Sequence, residues 1–134
     1  MSSWSIESQV VLRWSFSFLF AWFGLQQMLH PADWVSFLPE WTGYMPIPGE
    51  MLVRLNGWVE FICCIALFIG CYTRVIAAFL AMHLIGIAVT TGGAIGVRDS
   101  VLATIGIALT LSKPDEWTLD AKTIKKVIMA TTIT

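Results

Sequence analysis

Seven polar residues stand where the surrounding sequence is apolar: Gln27, Arg54, Asn56, Glu60, His83, Arg98 and Asp99. An ionisable side chain in hydrocarbon costs several kcal/mol unless it faces a bundle interior or a wet cavity. A carboxyl and an imidazole in such a place are the groups that bind a carbonyl oxygen or exchange a proton with it. Glu60 therefore has two readings. It is a carboxyl paired with Arg54 or Asn56 that fixes helix register, or a proton-accepting, ligand-binding carboxyl in a semi-dry pocket. Asn56 lies one turn before Glu60 on the same helix face and is placed to donate to it. Arg54 and Arg98 either pair with Glu60 or Asp99 or bind an anionic or carbonyl-bearing ligand, and the sequence leaves both open. His83 reads as an interior histidine rather than a metal ligand, and His30 lies at too different a depth to share a haem with it. Cys63, Cys64 and Cys71 form no Cys-x-x-Cys, so dithiol and metal-knuckle chemistry lack their signal. No haem or metal is expected.

The elements that must position these residues follow from composition. Of 134 residues, 57% are hydrophobic and 13% charged, with a mean hydropathy of +0.74. A soluble domain carries about 25% charged residues. A soluble enzyme, a nucleic-acid binder and a secreted disulfide scaffold are all excluded, and the net charge of -1 says little about partners. Four apolar runs, 10–29, 51–70, 74–91 and 97–112, approach the ~20 residues a bilayer-spanning helix needs. In hydrocarbon such runs must be helical to satisfy their own amides. Cys71-Tyr72-Thr73 reads as a tight turn, Gly92-Gly93-Ala94 as a break, and Pro114 as a stop. The expected fold is all-α: one integral-membrane domain over 1–134, an antiparallel four-helix bundle. The run from Trp14 to Leu25 lacks a basic n-region and is followed by Gln26-Gln27-Met28-Leu29, so it reads as a retained span rather than a cleaved leader.

Spacing then predicts a meeting. Glu60 and His83 each lie about 11.5 residues from the middle of the Cys71–Tyr72 turn, so a constant helical rise puts them at one depth, near mid-membrane. Gln26, Gln27, His30, Arg54, Arg98 and Asp99 gather in the outer half. Lys and Arg counts orient the bundle. Arg13, Arg74, Lys113, Lys122, Lys125 and Lys126 fall on the side of both termini, against Arg54 and Arg98 on the other. Both termini are expected in the cytoplasm and the chain in the cell membrane, with Arg13 and Arg74 snorkelling to headgroups. The outer loop, 30–50, carries Trp34, Phe37, Trp41 and Tyr44 and reads as an interfacial anchor or a lid. The tail, 113–134, reads as a basic helix on the anionic inner leaflet.

Gly57-x-x-Glu60, Leu67-x-x-Gly70, Thr73-Arg74 and Ala77-Ala78 form one series. Leu12-Arg13, Phe23-Gly24 and Trp117-Thr118-Leu119-Asp120 flank it. This pattern resembles the DoxX/DoxD-like family of small four-helix membrane proteins, from about Leu12 to Asp120. The resemblance implies a small, accessory subunit of a quinone- or sulfur-linked oxidoreductase system, with a quinone-like or other small apolar ligand and an oxidoreductase partner. Glu60 and His83 would contact the ligand, while Arg54, Asn56, Arg98, Asp99 and Gln27 would complete or border its site. The family often has a Lys near the end of span one, where this chain has Gln26-Gln27. A non-catalytic assembly or chaperone-like protein and a small transporter are the alternatives. The oligomeric state stays open, and no nucleic acid is expected.

Overall fold

Among the described residues, three helices are long and apolar enough to cross a membrane: α2 (Gly49–Ile69), α3 (Thr73–Thr91) and α4 (Gly93–Leu111). The computed structural model describes residues 3–132; Met1, Ser2, Ile133 and Thr134, the outermost residues of the predicted domain and tail, lie outside the described residues. Helix α1 (Ser3–Leu29) precedes these three and α5 (Leu119–Thr132) follows them, with two short 3-10 turns, Pro31–Phe37 and Glu40–Tyr44, in the loop before α2. The described chain is all-helical, with no strand.

Helix α1 has 27 residues but carries Arg13, Ser15, Ser17, Gln26 and Gln27, which lower its hydropathy. Arg13, Ser17 and Gln27 are buried against partners, so much of its polarity is turned inward. The outward faces are apolar instead: Phe18, Trp22, Ile62, Val89, Val97 and Leu111 are all exposed. Such a surface is a liability in water and the ordinary state in lipid.

Helix α1 packs along α2 and α3 along α4, with sparser contact between α2 and α3 and between α1 and α4. Phe16, Phe20, Cys63, Cys64, Leu67, Ala77, Leu80, Leu84, Ala103 and Leu109 form the shared core. Cys63 and Cys64 are thus packing residues, and the Cys64 thiol donates to the Phe61 carbonyl at 3.0 Å.

The turns match the expected breaks in place but differ in reach. Helix α2 ends at Gly70, whose φ of 75° lets its N–H turn back to the Ala66 and Leu67 carbonyls. A side chain there would also strike Thr118, whose Cβ would lie 2.5 Å from the added atom. Helices α3 and α4 are joined by Gly92 alone, at φ 64°. The Gly92–Ala94 break is therefore a one-residue link, and α4 starts at Gly93 rather than Val97. Helix α1 likewise starts at Ser3 rather than Val10.

Arg13 does not snorkel. It is 1% exposed and ion-paired to Asp115, Nε to Oδ2 at 2.8 Å. Its Nη1 donates to the Leu67 carbonyl at 2.9 Å and also to that of Phe68. These carbonyls belong to the last turn of α2, where unpaired acceptors and the negative dipole end favour a cation. Beside this pair, the Asp120 carboxylate accepts the Tyr72 and Thr73 amides at the start of α3, at 2.9 and 2.7 Å. The α4–α5 segment thus clasps α1, α2 and α3 together at one end of the molecule. Arg74 at that end is exposed and donates to the Thr110 carbonyl at 2.7 Å.

Candidate functional site

Gly24 on α1 and Gly57 on α2 bring the two backbones into contact. A Cβ added to Gly24 would lie 2.8 Å from the Gly57 carbonyl oxygen, and one added to Gly57 would lie 2.7 Å from that of Gly24. Each glycine also faces the other helix's polar residue: Gly24 opposes the Glu60 Cβ at 3.3 Å, and Gly57 opposes the Gln27 Cβ at 3.0 Å. Numbers rise along one helix as they fall along the other, so this pair is antiparallel. The repeated spacing Gly24-x-x-Gln27 and Gly57-x-x-Glu60 is what makes the polar contact close.

Gln27 donates through Nε2 to Glu60 Oε2 at 3.0 Å. Asn56 donates through Nδ2 to Glu60 Oε1 at 2.9 Å and to Gln27 Oε1 at 2.8 Å. The fourth member comes from α3, where His83 Nε2 lies 2.8 Å from Glu60 Oε1. The equal distance of Glu60 and His83 from the turn thus ends in direct contact. Glu60 Oε1 thus faces both Asn56 Nδ2 and His83 Nε2, and Oε2 faces Gln27 Nε2.

The four residues differ in burial. Glu60 is 3% and Gln27 7% exposed, while the His83 side chain retains 24% of its surface. His83 makes no second hydrogen bond to a described residue, so its Nδ1 is unpaired among them. It connects a dry carboxylate to the outside of the bundle.

The other expected site residues lie apart from this contact. Arg98 Nε bonds to Asp99 Oδ1 at 2.8 Å, with the arginine 51% and the aspartate 3% exposed. Its guanidinium also sits 5.6 Å from the Phe23 ring centroid, and Trp34 of the loop meets the same ring edge-on at 5.5 Å. Arg98, Phe23 and Trp34 therefore border α1 one turn before Gln27. Arg54 is exposed and makes no ion pair or hydrogen bond with a described residue. It lies six residues before Glu60, a rotation of about 240° beyond one full turn, so pairing with Glu60 is not what its position gives. In the loop, Pro31 is buried, whereas Trp41 and Tyr44 project outward. Two apolar clefts, of about 410 and 170 Å³, lie between α3 and α4 and are lined by other residues, Ile85 being common to both. No group of three or more potential metal ligands occurs among the described residues.

Sequence reasoning missed the polar cluster formed by Arg13, Asp115 and Asp120. The available signals were the Leu12-Arg13 and Trp117-Thr118-Leu119-Asp120 strings, whose Arg13, Thr118 and Asp120 prove to be clasp residues.

Gly57→Val is expected to lower the thermal midpoint in detergent, since overpacking at a backbone contact costs about 1–3 kcal/mol. It should also separate Gln27 from Glu60. An unchanged midpoint would show that the α1–α2 crossing is looser than these distances imply.

The DoxX family model matches residues 8–93, well over half of the chain and a stretch that contains the whole Gln27–Asn56–Glu60–His83 cluster. No curated protein and no solved structure matches the chain.

Proposed function

The chain belongs to the DoxX family, and we propose that it is a four-span accessory subunit of a quinone- or sulfur-linked oxidoreductase system in the cell membrane. In this reading α1 is the fourth span, the bundle is antiparallel, and both termini lie in the cytoplasm, as the Lys and Arg asymmetry favours. The site takes a small apolar ligand bearing a hydroxyl or carbonyl, of which a quinone or quinol is the type.

One observation carries the proposal: a 3%-exposed carboxylate is in hydrogen-bond contact with His83, whose side chain is about a quarter exposed. With Nε2–H on Glu60, the Nδ1 atom is an acceptor, which fits a ligand hydroxyl. Glu60 holds the imidazole in that tautomer, as carboxylates commonly do for working histidines. A proton taken up at Nδ1 is balanced by release of the Nε2 proton to Glu60. Gln27 and Asn56 keep the carboxylate oriented throughout. A bound quinol would supply two electrons to an oxidoreductase partner and two protons, one taken by the His83–Glu60 pair and the other released to water. Arg98, Asp99 and Trp34 border the outer approach, and exposed Arg54 is left for headgroups or partner chains.

A second reading has one observation in its favour. The Gln27–Asn56–Glu60 triangle closes on itself, as expected of a polar staple in a non-catalytic assembly protein. Titration with a short-chain benzoquinol analogue, followed by tryptophan fluorescence in detergent, separates the two. The expected result is saturable binding that His83→Phe weakens at least about tenfold, the effect of losing ~1.4 kcal/mol of hydrogen bonding. Binding that is absent, or indifferent to His83, would leave the staple.

A further inference from the structure

We propose that α5 is a membrane-surface helix that docks on anionic headgroups at the end of the molecule where α2 and α3 meet. This rests on the reading of α2–α4 as spans. The first observation is the helix itself. At about 100° per residue, Ile124, Val127 and Ile128 fall on one side, with Ala121 beside them. Lys122, Lys125 and Lys126 fall on the other side, with Met129 among them. Every residue from 122 to 132 is exposed, so neither face is satisfied by the rest of the described chain.

The second observation is how α5 is launched. Thr118 is fully buried against Gly70, and the Asp120 amide donates to the Gly70 carbonyl at 3.1 Å. Asp120, the acidic residue of α5, is spent on the Tyr72 and Thr73 amides. What α5 presents beyond the clasp is therefore cationic and apolar. Its origin is tied to the α2–α3 turn, where two spans end, and this is the level of the headgroups.

Charge complementarity selects the occupant. A helix with separate lysine and aliphatic faces suits an interface whose headgroups are anionic and whose acyl boundary lies just beneath. Each lysine near such a surface contributes about fivefold in affinity. A neutral protein groove would use the aliphatic face and leave the lysines without a role. Glu116 meets Lys125 only at 3.8 Å, with both side chains more than half exposed.

The test uses the full chain in lipid nanodiscs, with Cys71→Ser removing the half-buried thiol. Single spin labels are placed at Ile128→Cys, Lys125→Cys and, as a reference on an exposed face of α2, Ile62→Cys. Accessibility to oxygen is compared with accessibility to a water-soluble nickel chelate. In discs containing phosphatidylserine, labels at 62 and 128 should favour oxygen and the label at 125 the chelate. In pure phosphatidylcholine, or with all three lysines changed to Gln, the docked-to-free ratio at 128 should fall on the order of a hundredfold. A lipid-exposed label at 62 with a water-exposed label at 128 would overturn the surface helix while sparing the spans. A label at 128 immobilised but shielded from both reagents would overturn it in favour of a protein contact. A water-exposed label at 62 would overturn the spanning reading and this inference with it. Hydrogen exchange of α5 in the unsubstituted chain, slowed by phosphatidylserine if docking occurs, keeps the test valid should a labelled variant misfold.

Discussion

Asp115→Asn is expected to be among the most destabilising single substitutions in this chain. It leaves the shape of the site intact but strips the counter-charge from Arg13, whose side chain is 1% exposed. Breaking a buried pair in this way costs about 3–5 kcal/mol, a large share of the about 5–15 kcal/mol that holds a typical domain together. The asparagine also replaces an acceptor of the Trp117 amide, which lies 3.0 Å from Asp115 Oδ1. Denaturant or thermal unfolding in detergent should show the loss. The double variant Arg13→Met, Asp115→Leu should recover much of it, because removing both charges removes the orphan. A midpoint unmoved by Asp115→Asn would contradict the buried pairing.

That pair shows where a single sequence stops being legible. Arg13 and Asp115 are 102 residues apart, and no periodicity connects them. Near a helix start on a basic side, an arginine has headgroups as its obvious partner, and local sequence therefore points to snorkelling. Glu60 and His83 were legible for the opposite reason. A tight turn between two antiparallel helices sets their register, and equal distance along each becomes contact. Asn56 followed from the one-turn rule, and Arg54 shows its limit, since membership of the same helix says nothing without the angle. The turns at Gly70 and Gly92 could be read as breaks, but not their lengths. Positive φ at two successive glycines, Gly92 and Gly93, turns the chain so tightly that Gly92 alone lies between α3 and α4, where the sequence pattern reads a break over Gly92-Gly93-Ala94.

Glu60→Gln carries the second large expectation, an effect on ligand rather than fold. The amide oxygen still accepts from Asn56 and His83. The amide nitrogen then meets the Gln27 nitrogen, and Gln27 must turn over to accept it. That turn leaves one donor of the Gln27–Asn56 pair without its acceptor, a loss of about 1–3 kcal/mol. Because Arg54 is exposed rather than paired with Glu60, no buried cation is orphaned. The variant should therefore fold, with a modestly lower midpoint. It should lose the carboxylate that fixes His83 and receives its proton, and with it ligand retention and any proton-coupled turnover in the assembled system. Collapse of the fold in Glu60→Gln would favour the polar-staple reading instead.

The central claim is that the Glu60–His83 contact is a ligand site. Its most direct test is mass spectrometry of small molecules retained by the gently purified protein, with wild type and Glu60→Gln prepared side by side. The expected result is an apolar molecule bearing a hydroxyl or carbonyl, of the quinone class, near stoichiometric with the wild-type chain and depleted in the folded variant. Retention of the same molecules at the same level by both proteins would contradict it.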